Sequence, residues 1–464
     1  MVKNKSNTCA AVIFTGGLEG DFPSRTPLVM QPLSGQPVII YAVKLAQEAT
    51  GFPATLILDQ VYEPLHGAVD PGVNIVLQPE QHSIVQALLQ AEPMLRGLAD
   101  HLLIIRADTP LLTVNTLKQL IAAHLGTSDS IRSQPVMTIA SFQTSGPQHH
   151  DRIMRGEDSE ITGVMVQEQA TADPLVGAEF DAGIYCFSAD WLWETLPQIP
   201  DSPAGNFQLS DLVQLACSAD LPVQSLTLID PDEALRIDSL IHLSQAEASL
   251  RLRINQDFMR SGVTIIDPNT TYIDTLVVIG QDTVIHPNTY LRGRTRIGEA
   301  CQIGPNSMIT DTEIGDRCEI TFSVTESAIL EDDVDIGPFA RLRKGAHLAQ
   351  GVHMGNYGEV KNSYLGPGTK MGHFSYIGDA NIGPEVNIGA GVITANYDGR
   401  SKYPTEIGAG AFIGSDTMLI APLKIGAGAR TGAGSVVTKD VPPHSLAVGI
   451  PARIIRKKEE HDGP

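Results

Sequence analysis

His373, inside GHFSY, lies on the same stretch of chain as three basic residues, Arg343, Lys361 and Lys402. An unperturbed imidazole titrates near neutrality, so it can accept a proton and release it within one turnover. Arg presents a planar fork to two anionic oxygens and Lys a compact point charge, so such residues can seat a phosphate. Each also has a blander reading, since a lone His is more often a satisfied structural residue and surface cations are usually solvated. His353 with His373 raises the idea of a zinc enzyme, but a third His at suitable spacing is not evident. Five cysteines without CxxC spacing point neither to a disulfide framework nor to a zinc site.

The elements that carry these residues follow from periodicity. From Ile279 the chain reads IGQDTV, IHPNTY, later IGEACQ, IGPNSM, and near its end IGAGAF, IGSDTM, IGAGAR. An aliphatic residue returns at every sixth position, usually followed by Gly. No helical period gives this; it is the mark of a parallel β-helix, in which each hexapeptide makes one flat strand and one turn. The stretch from Gly262 to about Ile450 predicts roughly ten coils at three units per coil. Before it, residues 231–260 have helical apolar spacing and read as a connecting helix. Residues 9–230 read as an α/β domain: CAAVIFTGG is an apolar strand ending in the Gly-rich loop of Gly16 and Gly17, and VIIYAVKLAQEA the helix that follows. HLLIIRADTPLLT is another buried strand, leading to a helix at VNTLKQLIAAHL. Strand alternating with helix implies a mostly parallel sheet with ligands at its carboxyl ends.

With 464 residues the chain has room for two or three domains, and its net charge of −21 speaks against a nucleic-acid partner. An N-terminus without a long apolar run predicts neither a signal peptide nor a membrane span, and the expectation is a soluble cytoplasmic protein.

The ordered series GVTIIDPNTTYID, IGPFARLRKGA, GNYGEVKNSYLG, GHFSYIGDANIG, VNIGAGVITANYDGRSKY and IGSDTMLIAP closely resembles the C-terminal half of the bacterial bifunctional N-acetylglucosamine-1-phosphate uridylyltransferase/glucosamine-1-phosphate acetyltransferase (GlmU) family. The resemblance implies an α/β nucleotidyltransferase-like (Rossmann-like) domain over 1–230, a linking helix over 231–261, a left-handed β-helix acetyltransferase domain over 262–452 and a polar tail over 453–464. It also implies a homotrimer that takes acetyl-CoA and an amino-sugar phosphate, with His373 as general base and Glu359 as its acidic partner. Arg343, Lys361 and Lys402 match the positions that hold the sugar phosphate. Tyr376, Asn387, Asn396 and Tyr397 match positions that contact the sugar or line the acetyl site, and Ser415 and Ala433 positions that contact acetyl-CoA. Near the C-terminus Ile450 stands where the family usually carries an Arg for CoA phosphate, leaving Arg453 or the run from Arg456 to Lys458 to supply the charge.

The N-terminal half departs further. FTGGLEGDF and SRTPL put Asp21 and Leu28 where the family has an Arg and a Lys for the triphosphate, and Ser83 and Ile84 replace the Gly-Thr that reads uracil. Gly16, Gly17 and Gln78 match nucleotide-binding positions. Asp108 matches the family's metal-binding Asp, and Asp238 stands where an Asn completes that site, a pair able to hold Mg²⁺. The family's sugar-contacting Glu and Asn fall on Val166 and Asp181. A carboxylate beside a triphosphate repels it, so the expectation is a retained fold with uridylyl transfer lost, the alternative being a fully bifunctional enzyme.

Overall fold

The computed structural model describes residues 7–15, 22, 24–59, 72–78, 84–126, 134–144, 150–165, 178–199 and 207–455. The chain divides into two compact units, Met1–Leu250 and Arg251–Pro464.

In the first unit a nine-stranded sheet is built on Cys9–Phe14, flanked in parallel by His101–Arg106 and Thr55–Asp59. Asn74–Gln78 continues the parallel run at one edge, and the long strand Ala178–Ser188 enters antiparallel beside His101–Arg106. The central strands are buried on both faces and read as unbroken apolar runs, as parallel strands do. Helices fall where the periodicity predicts them, at Val38–Thr50 and Val114–His124. Thr113 caps the latter, its hydroxyl accepting the Thr116 N–H at 3.2 Å.

The expected helix over 231–260 starts later, at Leu240, and runs to Arg260. Pro231–Ala234 forms a 3₁₀ turn instead, and the next residues are extended, with the Ile237 N–H donating to the Asp108 carbonyl at 2.9 Å. That bond to a residue far back in the chain competes with helix. Leu243 and Leu250 pack on the core of the first unit, Ile254 and Phe258 on that of the second.

The second unit is a left-handed parallel β-helix, a three-sided prism whose faces are sheets of twelve, ten and nine strands. Its hand opposes the usual crossover preference. One face stacks Ile265, Ile285, Ile303, Ile320 and Ile336 in register, followed by Met354 and Met371. All are buried, each worth about 1.5–3 kcal/mol of transfer free energy. This column is the aliphatic beat of the sequence seen end on. Glycine follows because coils touch at the corners: a Cβ on Gly280 would lie 2.6 Å from the carbonyl of Gly298 in the next coil. Asn255, on the helix, closes the open end by donating to the carbonyls of Pro268 and Thr271 at 2.9 and 3.1 Å. Among the described residues no helix is long and apolar enough to cross a membrane.

Candidate active site on the β-helix

The ten-strand face positions the basic residues. Arg341–Leu342 pairs with Gly358–Lys361, which pairs with Ser375–Gly378. Leu342, Val360 and Ile377 point inward and are buried, so the alternate residues Glu359, Lys361 and Tyr376 face outward. Register sets Arg343 beside Lys361, the Arg343 N–H donating to the Val360 carbonyl at 2.9 Å. Lys402 comes from a short excursion in which Tyr397 and Lys402 bridge antiparallel, with the Asp398 carboxylate accepting the N–H groups of Arg400 and Ser401 at 2.8 and 2.7 Å. The Lys402 ammonium reaches Lys361 and is the first cause of a lowered Lys361 pKa, with desolvation and Arg343 adding to it. Three cations held against their mutual repulsion make a seat for a multiply charged anion.

Tyr376 belongs to this group. A side chain on Gly378 would collide with the Tyr376 hydroxyl and lie 2.9 Å from Asn396 Nδ2, so glycine there leaves room for both. Asn396 is buried and donates to Asp379, whose other oxygen accepts Asn362 Nδ2 at 2.6 Å. The sequence reading missed Asp379, the carboxylate that sets Asn396 and also faces Lys361. The one signal for it was a charged residue at a corner of GHFSYIGDANIG.

Glu359 differs from expectation. Its carboxylate accepts Arg343 Nη1 at 2.9 Å, so in one chain it orients the guanidinium and not the imidazole. The reason lies in the ladder, which puts Glu359 opposite Arg341 and Tyr376 while His373 sits at a corner three residues before Tyr376. His373 is exposed and makes no hydrogen bond among the described residues. The register Tyr376, Ile393, Met418 and Val436 places His373, Ala390, Ser415 and Ala433, three residues earlier, on one edge of the prism. Ser415 and Ala433 are exposed corners in consecutive coils, the Ser415 carbonyl accepting the Gly434 N–H at 2.8 Å. Asn387 lies on the adjoining twelve-strand face between Lys370 and Phe412. Tyr397 is 60% exposed and donates to the Gly399 carbonyl at 2.8 Å. Arg453 is exposed on the terminal strand Ala452–Ile455, opposite Val448, and Arg456 to Lys458 lie outside the described residues. A concavity of about 460 Å³ on the nine-strand face, lined by Glu406, Lys424 and Asp440, contains none of these residues.

In the first unit Gly16, Gly17, Asp21, Ser83 and Val166 lie outside the described residues, as does the side chain of Gln78 at the end of its edge strand. Leu28 is buried in a short 3₁₀ turn. The expected Mg²⁺ pair does not fit. Both Asp108 oxygens accept from Arg106, Nε and Nη2 each at 3.0 Å, and Arg236 Nε approaches at 3.5 Å. Burial alone would raise the Asp108 pKa, but the two guanidinium groups outweigh it and hold the carboxyl below its ordinary range. Asp238 points elsewhere and is bonded to His242 Nδ1 at 2.6 Å. No cluster of three His, Cys, Asp or Glu able to hold a metal occurs among the described residues. Nearby, Asp181 accepts from the Tyr185 hydroxyl and, at 2.7 Å, from the Gly183 N–H, while its carbonyl accepts from His150 Nδ1.

An α/β domain followed by a hexapeptide prism with exposed catalytic-type residues defines a transferase. The bacterial transferase hexapeptide (six repeats) family matches residues 276–311. Three relatives named "Bifunctional protein GlmU" match nearly end to end. The one from Pelobacter propionicus is 38% identical, covering 97% of this chain and 97% of the relative. That from Thermotoga petrophila is 39% identical over 96% and 97%, and that from Streptococcus agalactiae 37% identical over 95% of each. The chain therefore belongs to the GlmU family. A solved structure of CMP:2-keto-3-deoxy-manno-octonic acid synthetase complexed with CTP is similar at 15% identity, with a TM-score of 0.40, over 53% of this chain and 99% of that one. The family match runs through both units, so the expectation that the first has lost its activity finds no support in it.

Proposed function

We propose that the β-helix transfers the acetyl group of acetyl-CoA to the amine of glucosamine 1-phosphate, in the cytoplasm. The observation that carries this reading is the convergence of Arg343, Lys361 and Lys402 on the face that leads to His373. Lys361 pairs with Gly378, five residues along the strand from His373 and roughly 16 Å by backbone rise. A sugar phosphate lying along the strand bridges that gap once the lysine side chain reaches along the outer face toward His373. The three cations hold the phosphate, Tyr376 and Asn396 flank the sugar, and the amine meets His373. His373 accepts the amine proton as nitrogen attacks the thioester carbonyl, and the CoA thiolate leaves. Ser415 and Ala433 then line the coenzyme's path along the edge. His373 has no orienting partner among the described residues, and in this reading a second copy supplies one, a homotrimer giving each edge a neighbour.

A second reading is favoured by relatives named bifunctional that match over 95–97% of the chain. In it the N-terminal domain also transfers uridylyl from UTP to the acetylated product. Purified protein given glucosamine 1-phosphate, acetyl-CoA, UTP and Mg²⁺ distinguishes the two when free CoA and pyrophosphate are followed together. CoA alone supports the acetyltransferase by itself, both products support the bifunctional enzyme, and absence of CoA release defeats the proposal. His373→Ala is expected to lose ~10²–10⁴-fold in acetyl transfer with its assembly unchanged, the usual range for a positioned base. Near-normal turnover in that variant removes the assignment.

A further inference from the structure

At the carboxyl end of His101–Arg106, beside the start of the Gly-rich loop, a carboxylate and two guanidinium groups share one buried position. The Ala107 N–H donates to the Phe14 carbonyl at 2.9 Å, which ties this turn to the strand that feeds the loop. Asp108 is 2% exposed, and Arg106 covers its two oxygens as a bidentate fork. The aliphatic stem of Arg106 is fixed against Gly183, where an added Cβ would lie 3.4 Å from Arg106 Cδ. Arg236 approaches from the other side, in the segment that the Ile237–Asp108 backbone bond draws in. Asp238, the second carboxylate a cation would want, is 52% exposed and held by His242.

We propose that Arg106 and Arg236 close this strand-end carboxylate to divalent cations and themselves supply the positive charge at that position. Magnesium demands a carboxylate oxygen at about 2.0–2.1 Å in near-octahedral geometry and gives up its water reluctantly. Here both oxygens already accept charged hydrogen bonds at 3.0 Å, and an incoming dication would sit beside two fixed cations. Asp108 with its two arginines sums to one net positive charge, which the Asp181 carboxylate facing Arg236 offsets, so the position needs no metal to balance Asp108. A nucleotide or sugar phosphate held at these strand ends meets guanidinium in place of an ion, and any uridylyl transfer there proceeds without a divalent cation on Asp108. This inference rests on the N-terminal domain alone, and its readout is independent of acetyl transfer.

The test titrates the full-length protein with Mn²⁺ and counts bound ion by electron paramagnetic resonance. The acidic surface takes up Mn²⁺ elsewhere, so the comparison with Asp108→Asn is what decides. Wild type and Asp108→Asn are expected to bind equal numbers of ions, whereas the double variant Arg106→Ala/Arg236→Ala is expected to gain one, lost again when Asp108→Asn is added. One equivalent fewer in Asp108→Asn than in wild type would overturn the proposal, as would no gain in an arginine double variant whose tryptophan fluorescence is native. Should that double variant misfold, Arg236→Ala alone replaces it, with a gain of Mn²⁺ affinity of at least tenfold expected and none overturning the reading.

Discussion

Replacing His124 by Gln should remove most of an acid sensitivity that this residue gives the N-terminal domain. The ring is fully buried, its Nδ1 3.0 Å from Thr138 Oγ1 and its Nε2 3.1 Å from His101 Nδ1. Burial, reinforced by His101, pushes its pKa down to about 3, against 6.5 in the unfolded chain. A folded value below the unfolded one means that the unfolded chain takes up the proton first. Stability is intact above pH 6.5 and falls as the pH drops toward 3. Between pH 7 and pH 5 the folded ring stays neutral while the unfolded one becomes charged, which costs about 2 kcal/mol. The chain has two tryptophans, Trp191 and Trp193, both in the N-terminal unit, so tryptophan fluorescence during urea unfolding reports that unit and not the β-helix. Asp181, pushed up to about 6 by burial, works in the opposite direction and gains stability as the pH falls through 6. It is present in both proteins and cancels in the comparison. Wild type should therefore lose about 2 kcal/mol more than His124→Gln between pH 7 and pH 5. Equal losses would refute the assignment of a neutral buried imidazole.

Four further substitutions probe the β-helix. Lys361→Ala or Lys402→Ala should each raise KM for the sugar phosphate about tenfold, with a smaller change in kcat, and an effect confined to kcat would move these residues out of the phosphate seat. Gly389→Ala would place a Cβ 2.6 Å from the Ser415 amide nitrogen, so a lower thermal midpoint and weaker CoA binding are expected, and unchanged values for both would show that the corner has slack. Ile320→Ala removes one rung of a fully buried column and should cost about 2–5 kcal/mol of β-helix stability by circular dichroism, a loss under ~1 kcal/mol contradicting the packing described.

The coils were legible because a hexapeptide repeat is a local signal, and each unit shows both the residue that enters the core and the corner that must be small. The α/β domain was legible for a similar reason, since its central strands are unbroken apolar runs between amphipathic helices. Pairings that depend on register were not. Glu359 and Arg343 meet because one parallel step sets them in adjacent coils, and nothing in either motif favours that partner over His373. Lys402 reaches Lys361 through an excursion that interrupts the six-residue beat. Arg236 meets Asp108 across 128 residues, and Arg106 occupies a strand position where any residue satisfies the pattern. The motif around Asp108 reads as a metal site, whereas the fold brings it counter-charge from Arg106 and Arg236.

The shared edge of His373, Ala390, Ser415 and Ala433 makes the β-helix a graduated rule. Coils repeat at about 4.8 Å, so His373 stands two graduations, roughly 10 Å, from Ser415 and three, roughly 14 Å, from Ala433. Such a length changes only in whole steps. Inserting or deleting one complete coil between Gly378 and Ser415 would lengthen or shorten the span from His373 to Ser415 by a single graduation while leaving the cross-section untouched. Distance along that edge is a counted quantity, set by the number of coils.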